Sequence, residues 1–283
     1  MSDRKKVLLT GANGQLAADL ISALSDHELV LVDIDSLDIT DREAVVAAVS
    51  NVGPEVILNC AAFTDVERCE TEEAVAAAVN GAAPAHLVEA AAAVGGRVVH
   101  ISTDYVFDGR SSRPYQVDDE TNPQSAYGRT KLAGELAMRS EDLIVRTSWL
   151  GGVHGNNILK TVVDLADRDI HLKFVDDQVG HPTFSDDLAR VLVDLIEARA
   201  TGIVHATNAG AVSWFEFVQE VLDAMGKDRS MVSPISTSEL DPPQQAPRPS
   251  NSILDNASLA GFGVTAAGDF RDRLPGLVAA LRS

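Results

Sequence analysis

The feature that most constrains this chain is a turn. Val7-Leu8-Leu9 is a short, unbroken apolar run, and Gly11-Ala12-Asn13-Gly14 follows it at once. Apolar residues then recur with helical spacing at Leu16, Leu20, Ile21 and Leu24. A wholly apolar strand, a glycine turn and an amphipathic helix form the opening of a βαβ unit, with the strand covered on both faces. The pattern repeats. Leu29-Val30-Leu31-Val32, Val56-Ile57-Leu58-Asn59 and Val98-Val99-His100-Ile101 read as strands, separated by helical stretches at Arg42–Val49, Glu72–Val79 and Pro84–Val94. Crossovers between parallel strands are right-handed, so the fold class is α/β, a doubly wound parallel sheet of Rossmann type.

The second half is less regular. Tyr127–Met138, Ile158–Ala166, Leu188–Ala198 and Trp214–Met225 read as helices, with strands at Leu143–Val145 and Ile203–Ala206. Ser233–Ser252 holds five of the 11 prolines and reads as a loop. The expectation is a dinucleotide-binding domain over 1–147. Residues 148–283 then form mainly a smaller C-terminal substrate lobe, with segments returning to the sheet.

At 283 residues and 45% hydrophobic content the chain can bury a sizeable core and is not a disordered sequence. Its formal charge of −19 argues against nucleic acid or an anionic membrane as partner. Cys60 and Cys69 have neither a zinc nor a Cys-x-x-Cys spacing, and the seven histidines show no ligand spacing, so no metal is expected. No apolar run reaches signal-peptide or membrane-span length, which predicts a cytoplasmic protein.

The turn itself suggests chemistry. Gly11 and Gly14 allow a tight bend and a close approach to a pyrophosphate, which the free N–H groups at the helix start can bind. Asp33 ends the second strand, 22 positions after Gly11. A carboxylate there accepts from a ribose diol and repels a 2′-phosphate, which favours NADH over NADPH.

A second constellation lies downstream. Ser102-Thr103-Asp104-Tyr105 follows the fourth strand, at the end of the sheet where ligands bind. Tyr127-Gly-Arg-Thr-Lys131 opens a helix, and a spacing of four places Tyr127 and Lys131 on one face. An ammonium stabilises a phenolate and makes the tyrosine a usable acid, while a hydroxyl from Ser102 or Thr103 can bond the reacting oxygen. With three Tyr and six Lys the bare pair would arise by chance about 6% of the time. Its setting, after a phosphate loop and strand-end hydroxyls, gives it weight.

With these stretches the chain resembles the dTDP-4-dehydrorhamnose reductase family, within the extended short-chain dehydrogenase/reductases, over essentially its whole length. The matching segments include Gly11–Leu16, Asn59–Thr64, Ser102–Gly109, Tyr127–Glu135, Arg146–Trp149, Asp177–Thr183 and Arg248–Ser252. Ser102–Gly109 is the most specific of them. The resemblance implies reduction of the 4-keto group of a nucleotide-linked 6-deoxy sugar with NADPH or NADH. Tyr127, Lys131 and Thr103 would be catalytic. Gly14, Gln15, Leu16, Asp38, Ile39, Ala61, Ala62, Phe63, Thr64 and Ser102 would line the cofactor, with Gly11 and Asp33. Thr103, Asp104 and Trp149 would meet the nucleotide-sugar substrate, and Arg248 could pair with its diphosphate.

Ala17 departs from the family's usual glycine. Some family members form a magnesium-bridged dimer. Asp19 and Asp186 approximate two of those carboxylates, but the third falls near Ala280, which leaves a monomer or a homodimer without metal. Rival readings are a nucleotide-sugar epimerase or another reductase of the superfamily. A non-catalytic regulatory subunit of the methionine adenosyltransferase type is a further one. A dehydratase is disfavoured because Asp104 is followed by Tyr105, not by a second carboxylate.

Overall fold

A computed structural model describes residues 4–283. Six strands build the central sheet: β1 (Lys6–Thr10), β2 (Glu28–Val32), β3 (Val56–Asn59), β4 (Arg97–Thr103), β5 (Leu143–Thr147) and β6 (Gly202–His205). All pair in parallel, in the order β2-β1-β3-β4-β5-β6. The order reverses between β1 and β3, so a crevice opens beyond the carboxyl ends of those strands. The longer helices are α1 (Gln15–Ala23), α2 (Arg42–Val52), α3 (Ala83–Ala93), α4 (Ala126–Glu135), α5 (Ile158–Asp167), α6 (Ser185–Glu197), α7 (Trp214–Ala224) and α8 (Phe270–Leu281).

Strand alternation explains why both faces are covered. Val7, Leu9, Val56, Leu58 and Val99 join Leu16 and Leu20 of α1 and Leu188 and Leu192 of α6 in one core. Their neighbours Leu8, Ile57 and Val98 join Val45 and Val49 of α2 and Leu87 of α3 in another. Each such buried side chain contributes about 1.5–3 kcal/mol. The edge strand β2 departs from the expectation of full burial: Leu31 is 44% exposed. Among the described residues no strand lies beyond it, and the helices cover it incompletely.

The lobe has its own core, from Leu159 and Val162 of α5, Phe217 and Leu222 of α7 and Phe270 and Leu274 of α8. Between these helices, Leu172–Val175 pairs in parallel with Val232–Ile235. The expected loop from Ser233 therefore begins as a strand. Pro234 is tolerated because a two-stranded ribbon leaves one edge of each strand unpaired. The helix expected over Glu72–Val79 also differs. It breaks into Glu73–Ala76 and a wider π-turn, Ala77–Ala82, that runs into α3. The wide turn brings the buried Asn80 to the Phe63 backbone and the Thr130 hydroxyl. Finally, β4 runs through Thr103, so Ser102 and Thr103 are its last residues and do not follow it.

Candidate active site

A cleft of about 820 Å³ lies over the strand ends. It is bordered by Gly11, Gly14, Gln15, Leu16, Asp33, Asp38, Ile39, Ala61, Ala62, Phe63, Thr64, Ser102, Thr103, Asp104, Tyr127, Lys131 and Trp149. Arg248 is not on its wall. Cys60, Asn13 and Trp214, which sequence reasoning did not select, are.

One end of the cleft is the glycine turn. Gly11 has φ +69, and a Cβ there would lie 2.7 Å from the Ala61 nitrogen, so both its conformation and its neighbour exclude a side chain. Gly14 caps α1 and brings no side-chain acceptor to the helix start. By contrast, Asp41, Ser125, Asn157 and Ser213 each cap their own helix with a side chain. The first-turn amides of α1 are thus left for an anion. Asp33 closes this end. Its Oδ2 accepts from the Asn13 N–H at 2.8 Å and its Oδ1 from the Ile34 N–H at 2.7 Å. Asp38 accepts from both donors of Thr40, which hold its carboxyl below the usual carboxylate range. Gln15 reaches the Leu150 carbonyl with Nε2, tying α1 to the start of the lobe.

The other end holds the hydroxyl groups. Ser125 caps α4 by accepting from the Gly128 N–H, which fixes the first turn that carries Tyr127. Gly128 permits this seating, since a Cβ would lie 2.2 Å from the Tyr105 carbonyl oxygen. The Tyr127 ring meets Tyr105 edge-on at 5.4 Å, and its hydroxyl is within bonding reach of Thr103. Thr103 Oγ1 donates to Asp104 Oδ1 at 2.9 Å. Asp104 is 2% exposed, and burial pushes its carboxyl up to about 6. Thr103 is therefore the hydroxyl next to the tyrosine. Ser102 is turned away and donates to Glu135 Oε1 at 2.5 Å.

Lys131 is almost wholly buried. Its Nζ donates to the Ile101 carbonyl at 2.6 Å, and burial brings it down to about 8. The spacing of Tyr127 and Lys131 predicts that this ammonium lowers the tyrosine pKa. In the cleft as it stands burial dominates and raises it, so Tyr127 carries its proton. Behind the pair, Glu135 and Arg146 form a buried two-pronged ion pair at 3.0 and 2.7 Å, with each side chain 3% exposed. It clamps the end of α4 to β5.

Trp149 takes φ +45, in the left-handed region, and stacks on Trp214 of α7 with centroids 3.6 Å apart. The stacked pair forms the wall between cleft and lobe. Arg248 donates to the Tyr105 hydroxyl and to Glu67, both at 2.8 Å, so its guanidinium is held behind Tyr105. Asp186 pairs with Arg273, while Asp19 lies 3.7 Å from His154. Among the described residues no group of three His, Cys, Asp or Glu is placed to hold a metal ion. No helix among them is long and apolar enough to cross a membrane.

Residues 5–283 match the model of the RmlD substrate binding domain family. The dTDP-4-dehydrorhamnose reductase of Mycolicibacterium smegmatis is 40% identical over 98% of this chain and 86% of its own. A dTDP-4-dehydrorhamnose reductase crystal structure from Clostridium acetobutylicum superposes with a TM-score of 0.94, at 40% identity over 98% of this chain and 100% of that one. The structure of the Bacillus anthracis dTDP-4-dehydrorhamnose reductase in complex with NADP superposes with a TM-score of 0.93, at 33% identity over 98% and 99% of the two chains. The chain belongs to the RmlD family, that of the dTDP-4-dehydrorhamnose reductases.

Proposed function

We infer that this chain is an NAD(P)H-dependent reductase of dTDP-linked sugars, converting the 4-keto group of dTDP-4-dehydrorhamnose to the alcohol of dTDP-rhamnose. The observation that carries this reading is Tyr127 facing Thr103 in the cleft that begins at the glycine turn. When bound, the reduced nicotinamide supplies hydride to the carbonyl carbon. The chain's residues fit such a cofactor. The uncapped first turn of α1 receives the pyrophosphate, the Gly11 turn lets it approach, and Asp33 meets the adenosine ribose.

Tyr127 donates its phenolic proton to the substrate oxygen as negative charge develops there. Thr103 can turn its hydroxyl hydrogen from Asp104 Oδ1 to the same oxygen and donate to it there. Lys131, one turn along α4, holds the nicotinamide ribose and stabilises the phenolate that the proton transfer leaves. Trp149 and Asp104 face the sugar nucleotide. The stacked tryptophans offer a flat apolar surface, and the buried carboxyl offers a hydrogen bond to a sugar hydroxyl.

The direct test is loss of reduced-nicotinamide absorbance with enzymatically generated dTDP-4-dehydrorhamnose, run separately with NADH and NADPH. Oxidation that needs both sugar and protein supports the assignment, and the ratio of the two rates tests Asp33. Cofactor binding without oxidation would reject the reductase reading in favour of the epimerase or regulatory-subunit readings.

A further inference from the structure

Three polar side chains lie in one row across the sheet beneath the cleft. The register sets Thr10 of β1 beside Asn59 of β3, and Asn59 beside His100 of β4. All three are buried, in strands whose other residues are mostly apolar. They touch end to end. Thr10 Oγ1 donates to Asn59 Oδ1 at 2.7 Å, and Asn59 Nδ2 lies 3.0 Å from His100 Nδ1. His100 Nε2 is 3.4 Å from Lys131 Nζ. The row therefore begins at the residue before Gly11 and ends on the lysine. Packing alone would favour apolar residues here, because each buried polar group costs free energy unless it is bonded. Helix α4 also makes room for the ring. A Cβ at Gly134 would lie 3.3 Å from His100 Nε2, as well as 2.3 Å from the Asn80 carbonyl oxygen.

We propose that His100 is a positioning residue for Lys131: its Nε2 accepts a hydrogen from the ammonium, and Asn59, with its amide turned end for end between Thr10 and His100, holds the imidazole in the form that can do so. This rests on the reading in which Lys131 serves the reaction as an ammonium. Burial and the neighbouring lysine hold His100 well below its ordinary value, so the ring is neutral and carries one hydrogen. If Nε2 accepts from the ammonium, that hydrogen is on Nδ1. Asn59 must then exchange the positions of Oδ1 and Nδ2, which differ little in shape, so that its carbonyl oxygen meets Nδ1–H and its NH2 faces the Thr10 oxygen. With the amide as it stands, Nδ2 toward Nδ1, Nε2 carries the hydrogen and is suited only to a neutral amine. The orientation of one asparagine is thereby coupled to the charge of the lysine.

The other groups around Lys131 act in known directions. Glu135 on its own helix and Cys60 beyond β3 favour the ammonium, the Ile101 carbonyl accepts from it, and burial opposes it. Tyr127 lies one turn back on α4, and the Glu135 carboxylate is already shared with Arg146 and Ser102. His100 is the polar contact of the ammonium that a substitution can remove without touching this set.

The chain holds six lysines, so Lys131 can be followed by NMR in protein labelled at lysine, with Lys131→Arg identifying its signal. We expect His100→Phe to lower the Lys131 midpoint by about one pH unit, the size of one hydrogen bond to a charged group. His100→Gln, whose amide oxygen can accept, should restore most of that shift. Asn59→Leu should lower the midpoint in the same direction, and it carries the test if His100→Phe does not fold. The alkaline limb of kcat/KM should move with the midpoint. A ring that merely fills space would leave the midpoint in place while lowering stability. An unchanged midpoint in the folded variants overturns the proposal. The titration needs no substrate, so a failed keto-sugar assay and a failed proposal are read separately.

Discussion

Gly11→Ala tests whether the phosphate turn is held by conformation alone or also by a close approach. Two costs add at this position. The φ of +69 places any L-residue in the left-handed region, at about 1–2 kcal/mol. The new Cβ would also stand 2.7 and 2.9 Å from the Ala61 nitrogen and Cα, and 2.9 Å from the Cys60 carbonyl carbon. These are backbone atoms at the end of β3 and cannot swing aside, so overpacking adds about 1–3 kcal/mol. Gly53 supplies the control. It has φ +60 at the end of α2, with nothing within 4 Å of its ideal Cβ. Gly53→Ala should therefore cost only the conformational part, about 1–2 kcal/mol. Chemical denaturation of both variants, with cofactor titration by fluorescence, measures the difference. We expect Gly11→Ala to lose about 2–5 kcal/mol and to weaken cofactor binding at least tenfold, while Gly53→Ala binds normally. Equal losses in the two variants, with cofactor affinity intact in both, would refute the close-approach argument.

Tyr127→Phe should bind cofactor normally and lose about 10²–10⁴-fold in kcat, because only the proton donor is removed; near-normal turnover would take Tyr127 out of the mechanism. Asp104→Asn should raise stability at pH 7 by up to about 3 kcal/mol while weakening substrate binding, because the carboxyl, at about 6 when folded against about 3.9 when unfolded, is buried in its charged form. The folded state binds the extra proton, so this cost grows as pH rises from about 4 to about 6; urea unfolding at pH 4 should show little difference between the proteins. Glu135→Ala leaves the Arg146 guanidinium buried without its counter-ion and should cost about 3–5 kcal/mol, read as a lower urea midpoint.

What was legible in the sequence is what depends on a few neighbouring residues. The strand, the glycine turn and α1 sit within 20 positions, and their meaning needs no partner. Tyr127 and Lys131 are one helical turn apart, so their shared face follows from the spacing. What was not legible depends on register between distant strands. Asn59 and His100 stand out in Val56-Ile57-Leu58-Asn59 and Val98-Val99-His100-Ile101 as polar residues within apolar runs, which is a visible signal of a satisfied buried group. Nothing local says that the two are laterally paired, or that α4 delivers Lys131 to the end of the row. Asn80 was hidden for a related reason: its alanine-rich surroundings read as plain helix, and only the wide turn brings it to Phe63.

Ser102 and Thr103 show the limit most sharply. They are adjacent hydroxyls of similar chemistry, and spacing alone gives either one the role beside the reacting carbonyl. Neighbouring strand residues point in opposite directions, so only one can look toward Tyr127. The choice falls to the ion pair behind the site. Glu135, fixed by Arg146 from β5, takes the Ser102 hydroxyl, and Thr103 is left beside the tyrosine with Asp104 as its acceptor. The assignment of the hydroxyl that serves the reaction is thus made by two charged residues that do not touch the cleft. Exchanging Ser102 for Ala should accordingly disturb the seating of α4 more than it disturbs contact with substrate.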